Sequence, residues 1–119
     1  MDKFRFLKWP VYNDAKNLFS RILKIVEKLP KEIKFNLGAQ LQRASFSIIS
    51  NIAEGCGKDS DNELKRYFNI AIGSCYEVLA AIDTLKDCNF VKEQEFLSIY
   101  KQIESIADQL GGFKRHIKK

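Results

Sequence analysis

At 119 residues the chain suits one domain, because a chain of that size buries roughly two-thirds of its unfolded surface on folding. Hydrophobic residues make up 45% and charged residues 29%, which excludes a disordered chain. Two Pro and six Gly, against abundant Lys, Glu, Leu, Ile and Ala, point away from a β-sandwich and towards helices. The net charge of +5 permits a polyanionic partner without requiring one, and its distribution is uneven. Residues 1–50 carry ten basic and four acidic groups, residues 51–110 six and eleven, and residues 111–119 four and none.

The opening MDKFRFLKWPVYND never runs more than two apolar residues without a charge or a Pro. It lacks a signal-peptide core, and no later stretch approaches the ~20 apolar residues of a membrane span. Cys56, Cys75 and Cys88 are an odd set without paired spacing, expected as free thiols in a reducing cytoplasm. Residues 1–11 read as an arm and residues 112–119 as a basic end of a single domain spanning 1–119.

From Tyr12 to Leu29, the residues Ala15, Leu18, Phe19, Ile22, Val26 and Leu29 recur at helical steps, bounded by Pro10 and Pro30. The opposite face holds Arg21, Lys24, Lys28 and Lys31. A second helix is predicted from about Leu37 to Ala53, with Leu41, Ala44, Ile48 and Ile52 facing inward. Phe46, Ile49 and Ala53 form an adjacent apolar line, expected to be covered by another subunit. Gly55 and Gly57 supply left-handed positions to end this helix, and Ser60 with Glu63 forms a capping box opening the next.

The third helix, about Asp61 to Cys88, buries Leu64, Phe68, Ala71, Cys75, Val78, Leu79, Ile82 and Leu85. The fourth, about Lys92 to Ile117, buries Phe96, Ile99, Tyr100, Ile103, Ile106, Leu110 and Phe113, with Glu93 and Glu95 on its positive dipole end. Four long helices on short connections predict an all-α, antiparallel up-down-up-down four-helix bundle.

Catalytic signatures are weak. His116 is the one histidine and sits in the basic tail, which removes most Ser-His and Cys-His arrangements. A di-iron site needs Glu-x-x-His, but Phe113 stands three residues before His116. The three cysteines and His116 lie too far apart for zinc. EGCGKDS lacks the Walker pattern, with Ile52 and Asp59 where Gly and Ser or Thr belong. Glu54, Glu77 and Asp83 are carboxylates of the kind any helix surface offers. The expectation is no enzyme, no cofactor and no metal.

The segment SIISNIAEG is less ordinary, because Ser47, Ser50 and Asn51 interrupt an apolar helix. One reading is close packing through small residues, with Gly73 and Ser74 opposite. The other gives Asn51 and Glu54 a bonding role towards the amides opening the third helix or towards a basic group.

These residues carry a resemblance. NLGAQLQRASFSIISNIAEGCG, from Asn36 to Gly57, flanked by KLPKEIKFNL and by NIAIGSCYE from Asn69 to Glu77, resembles the four-helix bundle family of 23S ribosomal RNA intervening sequences. That family is related to the accessory variability determinant proteins of diversity-generating retroelements. Here Ile49 stands where many members have Pro, Gln42 replaces a common Arg, and Lys58 replaces an Arg. The resemblance implies a ring-like homopentamer without known catalytic activity, in which Ser47, Ser50, Asn51, Glu54 and Gly55 are the family motif. In the retroelement relatives a basic surface engages nucleic acid and a reverse transcriptase.

Two functional expectations follow. One is an oligomeric scaffold that binds RNA or DNA, helped by a protein partner. The other is a protein-interaction module whose basic residues only keep it soluble. For a polyanion the expected contacts are Lys3, Arg5, Lys8, Lys114, Arg115, Lys118 and Lys119 at one end of the bundle. Arg21, Lys24 and Lys28 form a second surface.

Overall fold

Pro10 opens α1 (Pro10–Glu27), preceded by Trp9 in extended backbone and by a short 3-10 turn, Arg5–Lys8. Pro has no N–H to leave unpaired there, and its fixed φ suits a first helical turn. The computed structural model describes residues 3–117, with side chains through Phe113. The chain continues as α2 (Lys31–Ile33), α3 (Ala39–Cys56), α4 (Asp61–Asp87) and α5 (Glu93–Ile117). A π-helical turn, Lys34–Gly38, joins α2 to α3. The second helix therefore begins at Lys31 rather than Leu37, because Pro30 caps it and the π turn carries the chain through without a break.

Pairs across each helix contact give the topology. Phe19 of α1 meets Phe46 of α3, and Val26 lies against Gly38, the residue before α3. Ser47 meets Ser74, and Gly55 abuts Tyr67, across α3 and α4. Lys86 pairs with Glu93, and Phe68 meets Phe113, across α4 and α5. Arg21 reaches Gln102, and Asp14 reaches Gln109, across α1 and α5. In each set one number rises as the other falls, so neighbouring helices are antiparallel and α5 closes back on α1. Among the described residues there is no strand, and the architecture is an all-α four-helix bundle about 45 Å long.

The core holds the predicted stripes: Leu18 and Ile22, then Leu41, Ile48 and Ile52, then Phe68, Val78 and Ile82, then Ile99, Ile106 and Leu110, all fully buried. By length and hydropathy α4 could cross a membrane, but its apolar stripe is this core.

Several local expectations are corrected. Ile49 is buried within the chain itself, and only Phe46 of its line is well exposed, with its ring 5.9 Å from Phe19 of α1. Tyr100, expected inside, is exposed. No described glycine has positive φ: Gly57 ends α3 at φ −86°, and Gly55 lies inside the helix. Gly55 is instead needed for close approach, since a Cβ there would lie 3.1 Å from Tyr67 Cβ and 3.2 Å from the Phe68 ring. Gly73 has open space around it, so close packing does not explain it. Half of the capping box forms: Ser60 Oγ accepts from the Glu63 amide at 3.2 Å, while the Glu63 carboxylate turns to Arg66 at 3.6 Å.

Candidate nucleic-acid interface

The antiparallel order brings the arm, the α3–α4 loop and the end of α5 to one end of the bundle. Trp9 anchors the arm by packing on Phe113 at 5.1 Å and on Phe68 at 6.3 Å, and Phe68 packs on Phe113 at 5.1 Å. Lys3, Arg5 and Lys8 are exposed on this anchored arm, and the Arg5 guanidinium lies over the Trp9 ring at 5.8 Å. Lys58 and Arg66 both stack on Tyr67 at the same end, at 5.0 and 4.8 Å.

Arg21 and Lys24 on α1, and Lys28 at its C-cap, lie towards the other end, roughly 20 Å from the arm at 1.5 Å per residue. They line a cleft of about 370 Å³ between α1, the α4–α5 turn and the first turn of α5, with Ile25, Leu29, Phe90 and Glu95. The Arg21 guanidinium is fixed from α5: one terminal nitrogen donates to Ser98 Oγ at 2.7 Å and to Gln102 Oε1 at 2.8 Å. Among the described residues every ion pair is made by Arg66 or Lys86, so the arm and α1 cations have no carboxylate within 4 Å. Burial alone would lower the Lys86 pKa, but its hydrogen bond to Asp83 and the charges of Glu93, Asp83 and Asp87 raise it overall.

The motif on α3 makes an internal seam. Asn51 Nδ2 donates to the Ser47 carbonyl at 2.8 Å and to Ser47 Oγ at 3.0 Å. Ser74 Oγ donates to Ser47 Oγ at 2.8 Å across to α4, and Ser50 Oγ donates to the Ser47 carbonyl at 3.4 Å. Asn51 is thus committed to its own helix rather than to the amides opening α4, and Glu54 is exposed, with no ion pair among the described residues.

A family model described as 23S rRNA-intervening sequence protein matches residues 8–112. The chain belongs to this family. A protein of unknown function from the S23 ribosomal protein family of Bacteroides thetaiotaomicron has a similar crystal structure, with a TM-score of 0.81 and 20% identity. The match covers 87% of this chain and 97% of that one, and at such identity it shows the fold. No curated protein matches the chain.

In this family member the predicted basic residues fall into two groups at opposite ends. Lys114 and Arg115 lie on the last stretch of α5, whose backbone reaches the arm's end of the bundle. Their side chains, with His116, Lys118 and Lys119, lie outside the described residues. Among the described residues no cluster of three or more His, Cys, Asp or Glu side chains is placed to hold a metal. Periodicity missed Phe90, Glu95, Ser98 and Gln102, which complete the cleft with α1. The Arg-Ser and Arg-Gln pairs are separated by 77 and 81 residues, so no local signal reports them.

Proposed function

We propose that the chain is a non-enzymatic, oligomeric scaffold that binds RNA or DNA through its basic surfaces. The observation that carries this reading is that, among the described residues, Lys3, Arg5, Lys8, Arg21, Lys24 and Lys28 make no ion pair, while the acidic groups cluster on α4 and α5. Cations left without carboxylate partners are available to phosphates, and such contacts release counterions. They position a nucleic acid without reading its sequence.

The test is fluorescence anisotropy against a structured RNA and a duplex DNA over a range of salt. Affinity is expected to fall log-linearly, with a slope of about −0.7 to −0.9 per phosphate contact. Replacing Lys114, Arg115, Lys118 and Lys119 with Gln is expected to flatten that slope while the helical circular dichroism stays unchanged. Absence of binding to either polymer at low salt would end this reading.

A second reading, a protein-interaction module, is favoured by a different surface. The α4–α5 groove, about 270 Å³, exposes Tyr76 and Tyr100 beside Glu104 and Asp108. Aromatic residues of this kind are enriched where proteins meet.

A further inference from the structure

The cleft between α1 and the α4–α5 turn has more shape and chemistry than a basic surface needs. Its volume falls in the range of small-molecule sites, roughly 300–1,000 Å³. Arg21 is held by two hydrogen bonds through one terminal nitrogen, so its Nε and its other terminal nitrogen keep their N–H groups unpartnered. That edge of a guanidinium matches two oxygens of a phosphate. Lys24 and Lys28 follow at the next turns of α1, so three cations face one carboxylate, Glu95.

The aromatic member is Phe90, 41% exposed, and its backbone is fixed by the turn that ends α4. Asn89 takes the left-handed conformation at φ 69°. The Asn89 amide donates to the Lys86 carbonyl at 3.0 Å and the Phe90 amide to the Leu85 carbonyl at 2.9 Å. These are the two bonds of a Schellman turn, and they present the residue after the left-handed position at a set place. An exposed ring so held, beside three cations, is a platform on which a base can stack.

We propose that this cleft binds a single unstacked nucleotide, its phosphate on Arg21, Lys24 and Lys28 and its base on Phe90, with Glu95 accepting from a ribose hydroxyl or an exocyclic amine. The proposal rests on the nucleic-acid reading in one respect, the source of the nucleotide. A free mononucleotide and an unpaired position in a single strand offer the same chemistry.

The test is calorimetric titration of the full chain with AMP, adenosine, inorganic phosphate and an acidic peptide, and with a short oligo-A RNA as single strand and as duplex. AMP is expected to bind more tightly than adenosine or phosphate, and the single strand more tightly than the duplex. Phe90→Leu keeps an apolar side chain but removes the ring, and is expected to weaken AMP and single-strand binding roughly tenfold. Lys24→Gln with Lys28→Gln, both exposed, is expected to weaken AMP and phosphate together. AMP binding without RNA binding would keep the cleft as a free-nucleotide site, and would end the scaffold reading if duplex DNA also failed to bind at low salt. RNA binding without AMP binding supports the cleft only if Phe90→Leu weakens it. If RNA binds equally well to wild type and Phe90→Leu, the cleft proposal fails while the scaffold reading stands. AMP no tighter than phosphate with single-strand binding unmoved by Phe90→Leu, preference for the acidic peptide, or no binding at all would overturn the cleft proposal.

Discussion

Gly55 and Gly73 both sit inside long helices, yet their surroundings predict opposite responses to the same substitution. A methyl group at Gly55 would press on Tyr67 Cβ and on the buried Phe68 ring, neither of which can move freely. Gly55→Ala is expected to cost about 1–3 kcal/mol through overpacking. At Gly73 the added methyl meets nothing within 4 Å, so Gly73→Ala is expected to stabilise by about 0.5–1 kcal/mol, the usual helix-interior gain. Urea denaturation of the two variants checks this, and a Gly55→Ala variant as stable as the wild type would contradict the α3–α4 contact. The thiols provide a second residue-scale prediction. Burial pushes the Cys75 thiol up to about 12, whereas an unfolded thiol ionises near 9. The folded state therefore keeps a proton that the unfolded state loses, and this group's effect is a stability that falls from pH 9 towards pH 12 and is flat below pH 9. A thiol reagent at pH 8 is expected to label exposed Cys88 quickly, and buried Cys56 and Cys75 only on unfolding.

Among the elements, the α4–α5 turn depends most on one residue. Asn89 is the one described non-glycine residue with positive φ, and Asn tolerates that region better than other residues with a Cβ. Asn89→Val is expected to lose about 1–2 kcal/mol, and Asn89→Gly to keep or raise the melting temperature. A wild-type melting temperature for the Val variant would mean that the turn can close another way. Because Phe90 follows directly, the Val variant is also expected to disturb the cleft, which links a turn's backbone to the proposed site. The π turn at Lys34–Gly38 has a comparable positional role. It ends on Gly38, where a Cβ would lie 3.1 Å from Val26 Cγ1, and so lets α3 start close against α1.

For the whole molecule, the exposed aromatics are the feature that a lone bundle does not explain. Tyr76, in the α4–α5 groove, is 72% exposed, and Phe46, against Phe19 of α1, is 53% exposed. Apolar groups so exposed at separate places suit contact between copies, because a patch on one copy can cover a different patch on the next. Light scattering at micromolar concentration is expected to give a multiple of 13.8 kDa. Tyr76→Asp is expected to reduce that mass while leaving the helical content unchanged. A stable wild-type monomer would remove oligomerisation from the proposed function.

What the sequence by itself determined is what a helix reports locally. Leu41, Ala44, Ile48 and Ile52 recur at 3.6-residue spacing and are buried, Pro10 and Pro30 mark ends, and Ser60 caps α4, because each of these depends on neighbours a few residues away. The apolar line of Phe46, Ile49 and Ala53 was visible too, but its fate was not. Whether Ile49 faces α1 or another copy depends on the rotation of α3 against its neighbours, which periodicity does not encode. The motif was legible as unusual, yet the Ser47–Ser74 bond requires the antiparallel register of α3 and α4. The cleft lay furthest from view. Its cations come from α1, its ring from a turn whose left-handed residue is Asn rather than Gly, and its fixed guanidinium from residues 77 and 81 positions away. Only the closing of α5 onto α1 brings them together, because that contact is set by the packing of the whole bundle.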